Sequence, residues 1–460
     1  VALNREATVD RSELTLGAAS DALVVQADSS VKMIGVTVAG GGGTGVAFNG
    51  AISSNEIANV TKARVSGSTV TQTGGASVLA ADRSEMNYGT GAVSIGSEAG
   101  IGVAIGFNLI TNDVTAQLQG TDSLGQVRGT GKVALGDARI SATSDEKIVN
   151  ASYGVGGSST VGGAGSISVN VIDTDVTAHI GRGAQVTADG TVVVDAQGQD
   201  DIKAFAGALG LGGNAGVGLS SSVNVIRGAT EASVGADGET RTHVDAKGQG
   251  NGTAVNTGVL ASAIPGITAP NNEDSGALQR FSGITAMTDY DATRAKMRET
   301  TETVKGLAVN ATSLRHVLSY DTTVGGATEG VGIGANADAH VISSTTKAEI
   351  ANAAINQSVA PAATADVRVK STSHHVLSSF GFSGGVGTGG GAGALGGDVF
   401  KTSTTAQVRD SAVKAGRDVV VRAANESAQN GILAGAAGGG SAIAGSVGVV
   451  VFDGDVESAS

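Results

Sequence analysis

Apolar and polar residues alternate along most of this chain, and the alternation recurs as one phrase. Its clearest copy runs from Gly157 to Ile202. A Gly/Ser run leads into Ser166–Ile172, then a polar break at Asp173-Thr174-Asp175, then Val176–Ile180, Ala184–Ala188 and Thr191–Ala196. Period-two alternation with Asp/Gly punctuation predicts half-buried strands, with turns at Asp173–Asp175 and Asp189-Gly190. Taking the last apolar residue before the polar break as an anchor gives Val1, Ile52, Ile110, Ile172, Ile226, Ile342, Phe400 and Phe452. Six residues after every anchor but the last comes Ala7, Ala58, Ala116, Ala178, Ala232, Ala348 or Ala406. Eight residues after comes Val9, Val60, Leu118, Ile180, Val234, Ile350 or Val408. The anchors lie 51 to 62 residues apart, with one interval of 116. A fixed offset in copy after copy marks a repeat protein, in which each unit buries its faces against its neighbours.

The expected fold is all-β: a repetitive β-solenoid, parallel β-helix-like, built from Gly-rich units of about 51–62 residues, with one partly helical or irregular insertion. Residues 1–250 and 306–460 read as solenoid repeats and 251–305 as the insertion, the whole being a window of a longer array. In the expected register Ala58, Ala116, Ala178, Ala232, Ala348 and Ala406 stack in one buried row. The residues one further on (Asn59, Gln117, His179, Ser233, Glu349, Gln407) then lie outside. Val186, Ala188, Val192, Val194 and Ala196 alternate with the outward Thr187, Thr191 and Asp195, and Val413 to Ala423 repeat the spacing. Val193 and Val420 interrupt the alternation and face either a second layer or solvent. A unit of this length makes one very large coil or two ordinary ones, and its Gly-rich half also suits antiparallel hairpins. The insertion carries Pro265, Pro270, the acidic Asn271–Asp274 and a helix-like run from Tyr290 to Val304. A ladder cannot absorb those without losing backbone hydrogen bonds, so this segment is expected to leave the stack.

Composition narrows the function. The 73 glycines follow no three-residue period, which excludes collagen, and 40% hydrophobic content in alternation argues against disorder. A formal net charge of −13 disfavours nucleic acid or an anionic membrane surface as partner. No apolar run is long enough to span a bilayer as a helix. The absence of cysteine suits an extracellular bacterial protein that crosses an envelope unfolded.

Candidate chemistry is sparse. His179 and His243 occupy outward polar positions, and the neighbours His374 and His375 point to opposite faces of a strand, so they do not share a metal easily. Asp173/Asp175 and Asp453/Asp455 raise calcium, but the Gly-Gly-x-Gly-x-Asp nonapeptide does not recur. The runs Leu209–Gly218 and Gly384–Gly397 look like phosphate loops, yet a strand follows each where a helix is required. A carbohydrate-cleaving β-helix needs paired carboxylates in a groove lined by aromatics. Here there is no Trp, and Tyr88, Tyr153 and Tyr320 sit beside Gly- or Ser-containing stretches. The expectation is no enzyme, no catalytic residue, no cofactor and no metal site.

The phrase Gly165-Ser-Ile-Ser-Val-Asn-Val-Ile172 followed by Asp175-Val-Thr-Ala-His-Ile180, echoed by Asn112–Leu118 and Ser221–Ile226, resembles the repeats of large bacterial exoproteins. These form the leukotoxin-type filamentous adhesin group, similar in organisation to filamentous haemagglutinins. The resemblance covers the chain outside about 250–305. It implies a secreted or cell-surface location, passage through outer-membrane export machinery, and roles in adhesion, biofilm or host-cell damage. The expected function is the shaft of a filamentous adhesin that presents adhesive regions to a host cell or a neighbouring bacterial surface. The alternatives are a self-assembling extracellular fibre subunit, with other copies of the filament as partner, or part of a secreted cytotoxin.

Overall fold

A computed structural model describes residues 1–17, 22–72, 74–121, 132–256 and 301–459. Among these the chain is strand and turn, without helix. Twenty-two of its strands form three parallel sheets, and the chain visits them in strict rotation. Sheet A contains β1 (Ala2–Asp10), β4 (Val46–Ser66), β7 (Ala99–Gln119), β10 (Val161–Gly181), β13 (Ala215–Val234), β18 (Val331–Ala351), β21 (Gly389–Arg409) and β24 (Ser441–Ala459). Sheet B is narrow: β2 (Glu13–Leu16), β5 (Thr69–Gln72), β8 (Lys132–Leu135), β11 (Gln185–Ala188), β14 (Thr242–Ala246), β19 (Ala353–Ile355) and β22 (Ala412–Val413). Sheet C contains β3 (Leu23–Gly43), β6 (Ala76–Gly96), β9 (Ala138–Ser158), β12 (Val192–Gly212), β17 (Gly306–Ala327), β20 (Asp366–Val386) and β23 (Val419–Gly438). This is a parallel β-solenoid in which one sequence unit makes one very large coil. The Gly-rich halves are not hairpins: each long strand pairs only with its counterparts in neighbouring coils, and sheets A and C lie face to face.

The register follows the repeat, with two corrections. Ile110, Ile172, Ile226, Ile342, Phe400 and Phe452 pair in succession, and Ala116, Ala178, Ala232, Ala348 and Ala406 form one fully buried row. Ile52, however, pairs with Ile105, and the true anchor in its coil is Ile57, opposite Ile110. Ala63 therefore takes the place expected of Ala58, which faces outward beside Thr111, while Asn59 is buried inside the coil. The alanine and valine that happen to follow Ile52 at the right offsets mimicked the phrase. Of the remaining outward residues, Glu349 is buried under Arg409, Gln407 and Lys347.

The second correction concerns Asp173-Thr174-Asp175. There is no turn there, because β10 runs straight through it for 21 residues. What changes at that point is which side of the strand is apolar. Before it, Ile167, Val169 and Val171 point outward; after it, Val176, Ala178 and Ile180 point inward. The real corners are elsewhere. The corner from sheet A to sheet B holds a left-handed residue in most coils, at Arg11, Gly67, Arg182, Gly235, Asn352 and Asp410. The corner from B to C is the Asp189-Gly190 step, as the sequence indicated.

The interior is layered. Where the three sheets meet, Val176, Ala178 and Ile180 pack against Val186 and Ala188 of sheet B and Val192, Val194 and Ala196 of sheet C. Next comes a polar seam, then a stack of Ile57, Ile110, Ile172, Ile226, Ile342 and Phe400 against Met86, Ile148, Ile202, Val317 and Leu377. A second polar seam follows, and the far end is glycine. A β-carbon on Gly156 would fall inside the backbone of Gly163 across the slab, and one on Gly162, Gly210 or Gly216 would meet Leu211, Val217 or Gly326 in the same way. Sheets A and C therefore touch backbone to backbone, a spacing that only glycine permits.

The ladder passes from β12 directly to β17 and from β13 to β18, so no coil lies between them. The chain between β14 and β17 leaves through β15 (Thr253–Asn256) and returns through β16 (Thr301–Val304), an antiparallel pair. The helix-like run thus ends in a strand over Thr301–Val304, while Pro265, Pro270, Asn271–Asp274 and Tyr290–Thr300 lie outside the described residues.

Candidate functional site

Three places concentrate chemistry: two polar seams inside the coil and the outer face of sheet C beneath β15 and β16. The first seam runs down the inner rows of sheet C. In one row Ser84, Glu146, Asp200, Arg315, His375 and Ser427 pair in succession. Asp82 accepts hydrogen bonds from Asn112 (2.8 Å), Asn59 (3.1 Å), Thr61 (3.3 Å) and Ser84 (2.8 Å). Ser144 donates to Glu146 at 2.6 Å. Burial pushes the Glu146 carboxyl well above the ordinary carboxylate range, reinforced by the charge of Asp82. Burial also pushes Asp200 up to about 6, with Arg315 pulling the other way from 3.5 Å. The Arg315 guanidinium is fully buried and donates to the carbonyls of Gly228 (3.1 Å) and Ser343 (3.4 Å). Burial, with Arg315 alongside, takes His375 down to about 3, so the ring is neutral beside Asn425 and Ser427.

The second seam is an asparagine ladder. Asn55 donates to Asn108 (2.9 Å), Asn108 to Asn170 (2.9 Å), Asn170 to Asn224 (2.8 Å), and Asn224 reaches Nδ1 of His340 at 3.1 Å. Repeating one amide at one register position lets each side chain satisfy the next, which offsets the cost of burying it. Burial takes His340 down to about 4. In the adjoining rows Asp321 faces Asp338 across the slab. Burial and the neighbouring carboxyl push Asp321 well above its ordinary value, and burial pushes Asp338 up to about 6.

Two carboxyls sharing a proton resemble an acid–base pair. Their setting does not suit catalysis. Asp321, Asp338, Glu146 and Asp200 are all buried, and each seam lies between two continuous ladders, so a substrate has no approach. A groove of about 310 Å³ does open on the outer side of sheet C, lined by Asp28, Arg83, Asp145, Gln197 and Gln199 among others. It holds no aromatic platform.

Over the outer face of sheet C, β15 and β16 act as a strap across four coils. Val255 and Val304 pack on Val193 and Ala308, so that of the two alternatives Val193 faces a second layer. Val420 is half-buried. Arg139 donates to the carbonyl of Ala254 at 3.4 Å and pairs with Asp195 at 3.6 Å. Asn310 bonds both Asp195 and the carbonyl of Asn256 at 3.0 Å, and Glu302 pairs with Arg368 (2.8 Å) and Lys370. Thr191 and Asp195, expected at the surface, are therefore buried under the strap.

The residues singled out in the sequence are scattered. His179 is half-buried on the outer face between Ser233 (2.8 Å) and Glu239 (3.6 Å), and His243 is exposed. His374 points out toward Glu426 at 3.1 Å while His375 points in. Asp173 pairs with Arg227 at 2.8 Å, and Asp175 accepts from the backbone of Ala229 at 2.9 Å, so both bond to the next coil. Among the described residues no group of three or more His, Asp or Glu is placed to hold a metal ion. The seams were legible only as isolated Asn and Asp within strands, and their convergence needed the register. No known family, curated protein or solved structure matches this chain.

Proposed function

We propose that this chain is a structural segment of a secreted or cell-surface bacterial filament of the adhesin kind, and not an enzyme. The observation that carries the reading is the unbroken parallel ladder, in register through both wide sheets from β1 to β24 and from β3 to β23. Such a ladder resists shear along every strand at once. The groups with shifted proton affinities serve the interior of that ladder. The partners proposed are a host cell or neighbouring bacterial surface, the outer-membrane export machinery during secretion, and other copies of the filament.

The coil width refines the reading. Strands of 21 residues at ~3.3 Å each are ~70 Å long, while eight strands ~4.8 Å apart rise only ~34 Å. A coil of ordinary size would give more reach for the same chain. This one invests in broad faces, so its proposed role is a wide, stiff wall or blade more than a spacer. Electron micrographs of the secreted product test this: flat rods about 70 Å across support the proposal, and a compact globule overturns it.

A further inference from the structure

The glycine slab carries its large apolar residues on the outside. On sheet A six successive outward rows, those of Val161, Gly163, Gly165, Ile167, Val169 and Val171, contain no charged residue on β7, β10, β13, β18, β21 or β24; Glu56 on β4 is the exception. Charge begins abruptly in the next row, with Asp173, Arg227, Lys401 and Asp453. Phe107 (43%), Ile167 (40%), Leu219 (51%), Ile333 (41%) and Leu395 (55%) remain this exposed although each sits on a strand paired on both sides. Ten steps from Val161 to Val171 span ~33 Å and the seven strands from β4 to β24 that carry these rows span ~29 Å, so the face measures roughly 950 Å². The largest apolar patch on an ordinary monomer is about 300–600 Å². A stable complex buries about 800 Å² on each partner.

We propose that this face is where two copies of the chain join, sheet A against sheet A. The inference rests on the filament reading and names the surface by which neighbouring filaments pair. The area exceeds what a stable dimer needs. The relief is self-complementary in kind: Gly163, Gly165, Gly391 and Gly393 leave hollows beside the ridges of Ile101, Val103 and Ile333. A two-fold operation can set the ridges of one copy into the hollows of the other. Lipid is the weaker occupant. The tips of the slab carry exposed Glu98 and Glu329, which would have to enter the hydrocarbon first.

Sedimentation of the full chain tests the pairing. The wild type is expected to form dimers or larger species at micromolar concentration. The triple variant Ile167→Lys/Leu219→Glu/Ile333→Lys is expected to sediment as a monomer with an unchanged β circular-dichroism signal. Should that variant misfold, the chain's lack of cysteine offers a second route. Leu219→Cys is expected to cross-link to a second copy with a short bis-maleimide at least tenfold faster than Thr177→Cys on the polar half of the same sheet. The proposal is overturned by a wild type that stays monomeric at 100 μM (~4.5 mg/ml at the 44.6 kDa chain mass), by association the triple variant leaves intact, or by equal cross-linking rates. It is also overturned by a monomer that floats with phosphatidylcholine vesicles through these residues, which would assign the face to lipid. None of these results changes the shape seen in micrographs, so failure of the pairing and failure of the filament reading are separable.

Discussion

Around Val176, Ala178 and Ile180 the coil is three-sided, and its apolar residues point inward at full burial. Some ten residues earlier on the same straight strand the arrangement is reversed: Gly162 is inside and Ile167, Val169 and Val171 are outside. The first region is held by buried hydrocarbon, worth about 25 cal/mol per Å² removed from water. The second buries almost no side chain and is held by ladders on both sheets and by close backbone contact. Between them two polar seams of Ser, Asn and Asp flank the stack of Ile110, Ile172 and Ile226 against Ile148 and Ile202. One strand therefore passes through three kinds of packing, apolar side chains, hydrogen-bonded polar seams and backbone contact, and the size and polarity of its inward residues set which applies where.

The largest expected effect tests the seam between the two regions. Arg315→Leu removes the cation beside buried Asp200, and an uncompensated buried charge costs about 3–5 kcal/mol. The loss should shrink below pH 5, where Asp200 is protonated, and Arg315→Leu/Asp200→Asn should recover most of it in thermal unfolding. Next in size is a contrast between neighbours. Gly162→Val places a side chain in the opposing backbone and should cost about 1–3 kcal/mol or more. Gly163→Val points outward to the open side near Ile101 and should stay within about 0.5 kcal/mol. Equal effects would mean that the two sheets are not in backbone contact.

The pH dependence sharpens the same comparison. Asp338 has a folded-state value raised to about 6, so its contribution is fully present below about 3.8 and is lost as the pH rises toward 6. Asp338→Asn should therefore stabilise the fold at pH 7, by about 1–3 kcal/mol, and make little difference at pH 3.5. His340 has the opposite sign. Its value is lowered to about 4, so its contribution is present above about 6.5 and is lost as the pH falls through 4. His340→Asn continues the asparagine ladder and should remove that acid loss. The smallest loss expected from breaking an interaction is that of Asn170→Ala, which interrupts the ladder between Asn108 and Asn224 for about 1–2 kcal/mol by urea unfolding.

Much of the architecture was legible in the sequence. The repeat, the parallel stacking and the row through Ala178 followed from a fixed offset, and of the two outcomes the break in alternation at Val193 left open, a second layer or solvent, the structure shows the second layer. Three things were not legible, for physical reasons. At Asp173–Asp175 the apolar phase shifts by one residue, and a shift of phase reads as a turn when the interior is assumed to be apolar throughout. At Ile52 the local residues fit the phrase by chance, and only pairing with Ile105 shows that the coil is anchored at Ile57. The seams were hidden because Asn108, Asn170 and Asn224 are a whole coil apart in sequence.

The central claim is that one strand runs straight from the glycine tip to the sheet A–sheet B corner while its apolar face inverts. Spin labels on Thr160→Cys and Arg182→Cys, in chains diluted with unlabelled protein, measure this directly by pulsed electron resonance. A straight strand of 21 residues between them predicts a distance of about 70 Å. A turn at Asp173–Asp175, folding the segment back on itself, would bring the labels within about 35 Å and would contradict the account.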